Sequence, residues 1–397
     1  MISSLRTWFN SHFTDAAYQA LNDESAAAYN YPVPFRQAET PIFLPDDFRD
    51  KVIEAGREIA DFVSKPEFIA MSESAIPAAL KVPNDPGFAG MLAIDFAVCK
   101  DEKGEWLPQL IEMQGFPSLY GYQVFLSNLY QKHYKIPTEF SYLFAHENIE
   151  SYKADLKAFI LGNHAAENVI LLEIEPYQQK TAIDFYVMED WTGIKSVCIS
   201  EIIVEGRTLF YLKNGIKTPI HRIYNRVIFD ELLPREDLKR QFNLTEDVEV
   251  EWVCHPNWFF RISKYTLPFI KSQYVPNTRF LNEVSEYPTD LENYVLKPLF
   301  SFAGQGVIIN VTKADLDAVT DRENWILQRK VKYEYIFEDL EGVGVKGEIR
   351  LLYIYDDVAK KPKLVANLGR LSKGLMVGVR YNKDFSWVGA SSYFFRK

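Results

Sequence analysis

Lys297 closes the apolar run YVLKP, and Gly304 and Gly306 follow it before a second apolar run, VIINV. A lysine at a strand end followed by glycines lets backbone N–H groups approach phosphate oxygens, while the ammonium adds a point charge. The order differs from a P-loop, where the lysine follows the glycines at a helix start. A plain hairpin with glycines at its turn has the same sequence. A second group is Asp95, Glu112 and Gln114. Two carboxylates and a carboxamide offer oxygen ligands to a hard cation, and Mg²⁺ binds through one or two carboxylates plus nucleotide phosphates. The competing reading is a solvated polar sheet face. Gln328, in NWILQRKV, interrupts an apolar strand just before Arg329 and Lys330, either as a hinge whose backbone meets an adenine edge or as an ordinary strand end. Lys264 in RISKYTLPF, Arg350 in GEIRLLYIYDD and Arg380 in GVRYNK are cations expected in apolar strands, the last placed after Gly374 and Gly378. Each is either a ligand clamp or an ion-paired or snorkelling side chain. Glu348 and Arg350 share a strand face, so they pair with each other or clamp a ligand together.

These residues need elements to position them. MLAIDFAVCK and LPQLIEMQGF alternate like strands, and the turn-like KDEKGEW joins them as a hairpin. Alternation puts Leu92, Ile94, Phe96 and Val98 on one face and Asp95 on the other. Glu112 and Gln114, two apart, share a face. A helix is expected over 46–64, with Phe48, Val52, Ile59 and Phe62 at helical spacing and Asp46 as N-cap. Another is expected from Tyr122 to His133, and 76–88 reads as a loop. From 150 to 260, strand-like AENVILLEIEP, helix-like KTAIDFYVMEDWTG and strand-like SVCISEIIVEGRTLFYL alternate, which implies a small α/β domain with a mainly parallel sheet. After 290 the chain reads as strand, glycine loop, strand, then a helix over ADLDAVTDRENW and a strand over WILQRKV. A long hairpin over GEIRLLYIYDD and KPKLVANLGRLS follows, then a glycine-punctuated strand pair over GLMVGVRYNKDFSWVGAS. The whole is an antiparallel sheet with a helix on one face.

Composition narrows the function. The chain has 397 residues, which at about 100–200 per domain implies two or three domains. A formal net charge of −10 disfavours nucleic acid and anionic membrane as partners, although a nucleotide needs only a local cationic pocket. Cys99, Cys198 and Cys254 are far apart, so no disulfide framework or zinc site is expected and a reducing compartment fits. No apolar run reaches the roughly 18 residues of a membrane span, and the first residues lack an apolar signal core. A cytoplasmic location is therefore expected. HExxH, GxSxG, a strand-associated GxGxxG and an HRD/DFG pair are all missing, which removes support from hydrolase nucleophiles and nicotinamide binding.

In this order the pieces resemble the ATP-grasp synthetase domain of glutathionylspermidine synthase and its relatives. The resemblance covers about 90–397 and lacks an amidase domain. The family's aspartate strand and Glu-x-Asn strand, which hold magnesium, correspond to Asp95 in AIDF and to Glu112 and Gln114 in IEMQGFPSL. Its ATP-contacting lysine corresponds to Lys264 in ISKYTLPF, and its KP strand-loop to Lys297 in VLKPLFSFAGQGVII. Its adenine-side glutamine corresponds to Gln328 and its late arginine loop to Arg380 in VGVRYNK. The metal strands precede the nucleotide lobe, as in that circularly rearranged family. This chain departs from the pattern in having Ala93 in place of an arginine, Gln114 in place of the asparagine, and SFAGQG in the loop.

The resemblance implies an ATP-grasp fold, mixed α+β and α/β, with a small pre-ATP-grasp α/β domain. Residues 1–150 would supply a helical segment and the metal hairpin, 151–255 the α/β domain and 256–397 the nucleotide lobe. The expected activity is an ATP- and Mg²⁺-dependent carboxylate–amine ligase acting on a small-molecule acid and amine through an acyl phosphate. Asp95, Glu112 and Gln114 would hold Mg²⁺. Lys264, Lys297, Gly304, Gly306 and Gln328 would bind ATP, and Arg350 and Arg380 would serve the transfer. The alternatives are a nucleotide-binding relative without turnover, motivated by Ala93, Gln114 and the altered loop, and a small-molecule kinase.

Overall fold

A computed structural model describes residues 2–301, 304–374, 376–378 and 381–397. After two N-terminal helices, α1 (Asp46–Val63) buries Phe48, Val52, Ala55, Ile59 and Val63 along one stripe. Pro45 occupies its cap position, so Asp46 is the first helical residue and not the cap. Gly56 on this helix lies against Leu351 and Tyr353, where a Cβ has no room.

The hairpin forms as expected. β1 (Met91–Lys100) pairs antiparallel with β2 (Trp106–Gln114), with Asp95 opposite Glu112 and Ala93 opposite Gln114. A bulge after Asp95 absorbs one extra residue of β2 and keeps Glu112 on the Asp95 face. Residues 115–119 then turn the chain into α2 (Tyr120–His133).

The next segment builds a four-stranded sheet in which every neighbour is parallel. Its strands are β3 (Val169–Glu173), β4 (Lys195–Cys198), β5 (Arg222–Asn225) and β6 (Glu251–Trp252), in the order β6-β5-β3-β4. α3 (Ala182–Thr192) connects β3 to β4. The uninterrupted apolar run of β3 is fully buried, as a parallel strand covered on both faces requires.

β7 (Thr278–Phe280), β8 (Tyr294–Pro298) and β9 (Trp325–Arg329) make a three-stranded antiparallel sheet with β9 in the centre. β10 (Tyr335–Glu338), β11 (Gly344–Asp356), β12 (Lys361–Ser372) and β13 (Gly389–Ser391) complete a six-stranded antiparallel sheet. Its order is β13-β12-β11-β1-β2, with β10 also on β11. This sheet therefore joins the hairpin at 91–114 to the C-terminal strands. The largest hydrophobic cluster runs from Phe9 to Phe395 and includes both. The molecule is mixed α/β with several separate sheets.

Three expected elements differ. VIINV is not a strand; Ile308 makes a single bridge to Leu296 across the glycine turn. ISKYTLPF is a 3₁₀ helix over Lys264–Phe269 with Ser263 as its cap, not a strand. The expected strand pair over 374–391 is a loop up to β13, in its described residues. The Asn382 amide organises that loop by accepting from the Lys373 and Gly374 N–H groups and donating to the Gly378 and Met376 carbonyls. A side chain that satisfies so many backbone groups replaces the ladder a strand would have used.

Candidate functional site

Alternation and register put Asp95, Glu112, Arg350, Glu348 and Arg370 on one face of the six-stranded sheet. Arg350 lies opposite Asp95, and Glu348 opposite Arg370. Arg350 donates to both oxygens of Asp95, from Nε at 2.5 Å and Nη2 at 2.7 Å, and from Nη1 to Ser118 Oγ at 3.2 Å. Its Nη2 is also 3.6 Å from Glu112 Oε1. Arg370 Nη2 bonds Asp95 Oδ2 and lies 2.8 Å from Glu348 Oε2. The Tyr333 hydroxyl donates to the other oxygen of Glu348. Asp95 is 1 % exposed, so burial alone would raise its pKa; Arg350 and Arg370 outweigh that and hold it below the usual carboxylate range. Glu348 shifts the other way, because burial and the nearby Asp95 and Glu112 exceed the help from Arg370.

Two lysines approach this face. Lys297, at the end of β8, is buried; its Nζ donates to Gln328 Oε1 at 2.6 Å, and Gln328 Nε2 donates to Thr278 Oγ1 at 3.0 Å. Gln328 thus spends its side chain fixing Lys297 from the central strand β9. Lys264, also buried, bonds the Ser301 carbonyl. Burial and the charge of Lys264 push Lys297 down to about 8, against the pull of Glu112 and Glu348. Burial lowers Lys264 too, against Glu112 and Asp230. Glu112 is therefore the carboxylate that both lysines sense.

The glycine loop follows Ser301, whose carbonyl Lys264 bonds. Gly304 and Gly306 have φ near +70°, which only glycine adopts without strain. A Cβ on Gly304 would press within 2.8 Å of Met376 Cε, so this loop touches the 373–382 loop. Arg380, expected to serve the transfer, falls outside the described residues. A cavity of about 310 Å³ is lined by Leu267, Ile270, Val275, Asn277 and Thr278 among others, and Thr278 is also the residue that accepts from Gln328.

The expected Mg²⁺ ligands meet this geometry unevenly. Gln114 is buried, and among the described residues its Oε1 has no hydrogen-bond partner, so it offers an oxygen. Glu112 is more open, its side chain 13 % exposed. Both oxygens of Asp95 accept from guanidinium donors, Oδ1 from Arg350 and Oδ2 from Arg350 and Arg370. Among the described residues, no group of three or more His, Cys, Asp or Glu is arranged to hold a metal ion.

Arg370, Tyr333 and Asp230 belong to the site but do not stand out in the sequence. Arg370 sits in the ordinary-looking ANLGRLS, and only the pairing of β12 with β11 brings it to Asp95. Arg350 pairs across strands with Asp95, while its in-strand neighbour Glu348 takes Arg370. Cys99 is buried and its thiol is pushed up to about 12 by burial, which makes it an inert core residue.

No protein-family model and no curated protein matches this sequence. Its fold is similar to that of a solved structure, a glutathione synthetase-like effector from Globodera pallida in its apo form. The two share 10% identity at a TM-score of 0.58, over 95% of this chain and 97% of that one. Among the described residues, no helix is long and apolar enough to cross a membrane.

Proposed function

We propose that the protein is an ATP-grasp type ATP-dependent carboxylate–amine ligase whose nucleotide phosphates lie against Lys264 and Lys297. One observation carries this reading: two lysines are buried together beside Glu112, at a depth where burial works against their charge. A buried cation pair is unfavourable by itself and becomes favourable when an anion enters. The glycine loop at 304–306 would supply close backbone approach to such an anion. The effector-like fold supports the reading at the level of architecture.

In the proposed reaction, a substrate carboxylate oxygen takes the γ-phosphoryl group, giving an acyl phosphate and ADP. An amine nitrogen then attacks the acyl carbon and loses its proton, and phosphate leaves as the amide forms. Such transfers depend on positioning and charge stabilisation more than on a protein nucleophile. Lys264 and Lys297 would neutralise phosphate oxygens, with Gln328 holding Lys297 in place. Residues 256–397 with the 91–114 hairpin would form the nucleotide lobe, and the parallel sheet within 151–255 the substrate wall.

A second reading, a nucleotide-binding protein without turnover, is favoured by the two guanidinium groups on Asp95. ADP release under a matrix of acids and amines separates the two. ADP that forms only when an acid is present, and an amide that forms only with both, supports the ligase. ATP binding with no ADP under any pair supports the second reading. A phosphorylated acid that no amine consumes indicates a kinase.

A further inference from the structure

We infer that Thr278 is a positioning residue for the phosphate-binding lysine: its hydroxyl fixes which way the Gln328 carboxamide faces, and the carboxamide in turn aims the Lys297 ammonium. This rests on the phosphate-site reading above. Thr278 on β7 and Val295 on β8 stand opposite Gln328 of the central strand β9. Lys297 is two residues on from Val295, so Thr278, Gln328 and Lys297 share one face of the small sheet. Lys297 Nζ donates to Gln328 Oε1 at 2.6 Å, and Gln328 Nε2 donates to Thr278 Oγ1 at 3.0 Å. Thr278 Oγ1 donates in turn to the Pro276 carbonyl at 2.8 Å.

Donor and acceptor chemistry allows this chain of bonds one direction only. An ammonium carries donors and no acceptor, so the carboxamide atom that meets it is the oxygen. The NH₂ group then faces Thr278, whose hydroxyl has to accept. It can do so because its own proton goes to Pro276, a carbonyl that only accepts. Gln328 is 1 % exposed and Thr278 6 %, so water has little access to replace either partner. Without the hydroxyl a buried NH₂ group is left unsatisfied, and turning the amide to relieve it would set that group against the ammonium. The relay takes one N–H of Lys297 and leaves two for phosphate oxygens. Lys264, Glu112 and Glu348 are the charged groups that also act on Lys297, and a change at Thr278 leaves all three in place.

Calorimetric titration of the full chain with ATP and MgCl₂, from about pH 7 to about pH 9, tests the inference across the range in which Lys297 titrates. Thr278→Val keeps the shape and removes the hydroxyl. It should weaken binding at neutral pH by about five- to tenfold. It should also lower the pH above which affinity falls, because the ammonium loses an acceptor that favours its charged form. Thr278→Ser, which keeps the hydroxyl, should follow the wild-type profile. In a Gln328→Leu background, Thr278→Val should weaken binding by less than about twofold more, since the path through the carboxamide is already cut. Wild-type affinity and pH profile in Thr278→Val overturn the inference and leave the phosphate site standing. An undiminished effect of Thr278→Val in the Gln328→Leu background overturns it as well, because Thr278 would then act on ATP directly. No binding by the wild type at any pH overturns the phosphate-site reading, and the inference with it. If Thr278→Val does not fold, Thr278→Cys, whose thiol is a weaker acceptor, takes its place, and a wild-type profile for that variant overturns the inference.

Discussion

Lys297 is the residue on which the proposed chemistry depends most. Its pKa of about 8 in the folded protein lies below the ordinary 10.5, because burial opposes its charge. The unfolded chain therefore binds more protons between those values, and this group's contribution to stability rises with pH across that window. Ligand binding runs the other way, because a phosphate favours the protonated amine. ATP affinity should be flat below about pH 8 and fall above it, with proton uptake on binding near pH 8 measurable by titration in buffers of different ionisation enthalpy. An affinity unchanged from pH 7 to 10 contradicts the role. Lys297→Met should weaken ATP binding by about 1.5–3 kcal/mol, roughly 10- to 150-fold in Kd. Asp95→Asn tests the network beneath. Removing one member of a buried ion pair strands its partners, so a loss of about 3–5 kcal/mol is expected in urea unfolding. A loss under about 1 kcal/mol would mean that the guanidinium groups are not held by Asp95.

At the scale of elements, the hairpin is the rigid support of the site. Gly115, immediately after β2, lies against the backbone of Trp258, where an added Cβ would sit 2.5 Å from the carbonyl oxygen. Gly115→Ala should destabilise by about 1–3 kcal/mol, as overpacking generally does, and should shift near-ultraviolet circular dichroism from the buried Trp258. Unchanged stability would show that this junction is slack. The hairpin was legible in the sequence because period-two alternation alone puts Asp95 opposite the apolar face. Its register with Glu112 was not legible, since a bulge sets it. The glycine loop was legible, but the strand expected after it was not formed, because Ile308 closes back on Leu296 in one bridge. Lys264 was legible as a cation in an apolar segment, but neither its burial nor its helical setting was; Ser263, a serine cap in front of a proline-bearing turn, was the signal for a short helix.

Across the whole molecule, the charged face is assembled from residues far apart in the chain. Asp95 finds its partners at 350 and 370, and no local pattern announces such a pairing. The parallel sheet within 151–255 was legible because strand and helix alternate there, while Arg370 and Tyr333 needed the topology. Stability should be uneven. The sheet of β7, β8 and β9 rests on a small cluster around Leu281, Leu296, Leu316 and Leu327, whereas β11 lies in the large central one. Hydrogen exchange should therefore open Leu296 and Leu327 before Leu351, and equal protection would contradict separate cores. The same method tests the central claim most directly. Exchange of the full chain with and without ATP should show new protection at 264–269, 294–301 and 325–329, the segments that carry Lys264, Lys297 and Gln328. Protection confined to other segments, or none at saturating ATP, would contradict a nucleotide phosphate site built on these two lysines.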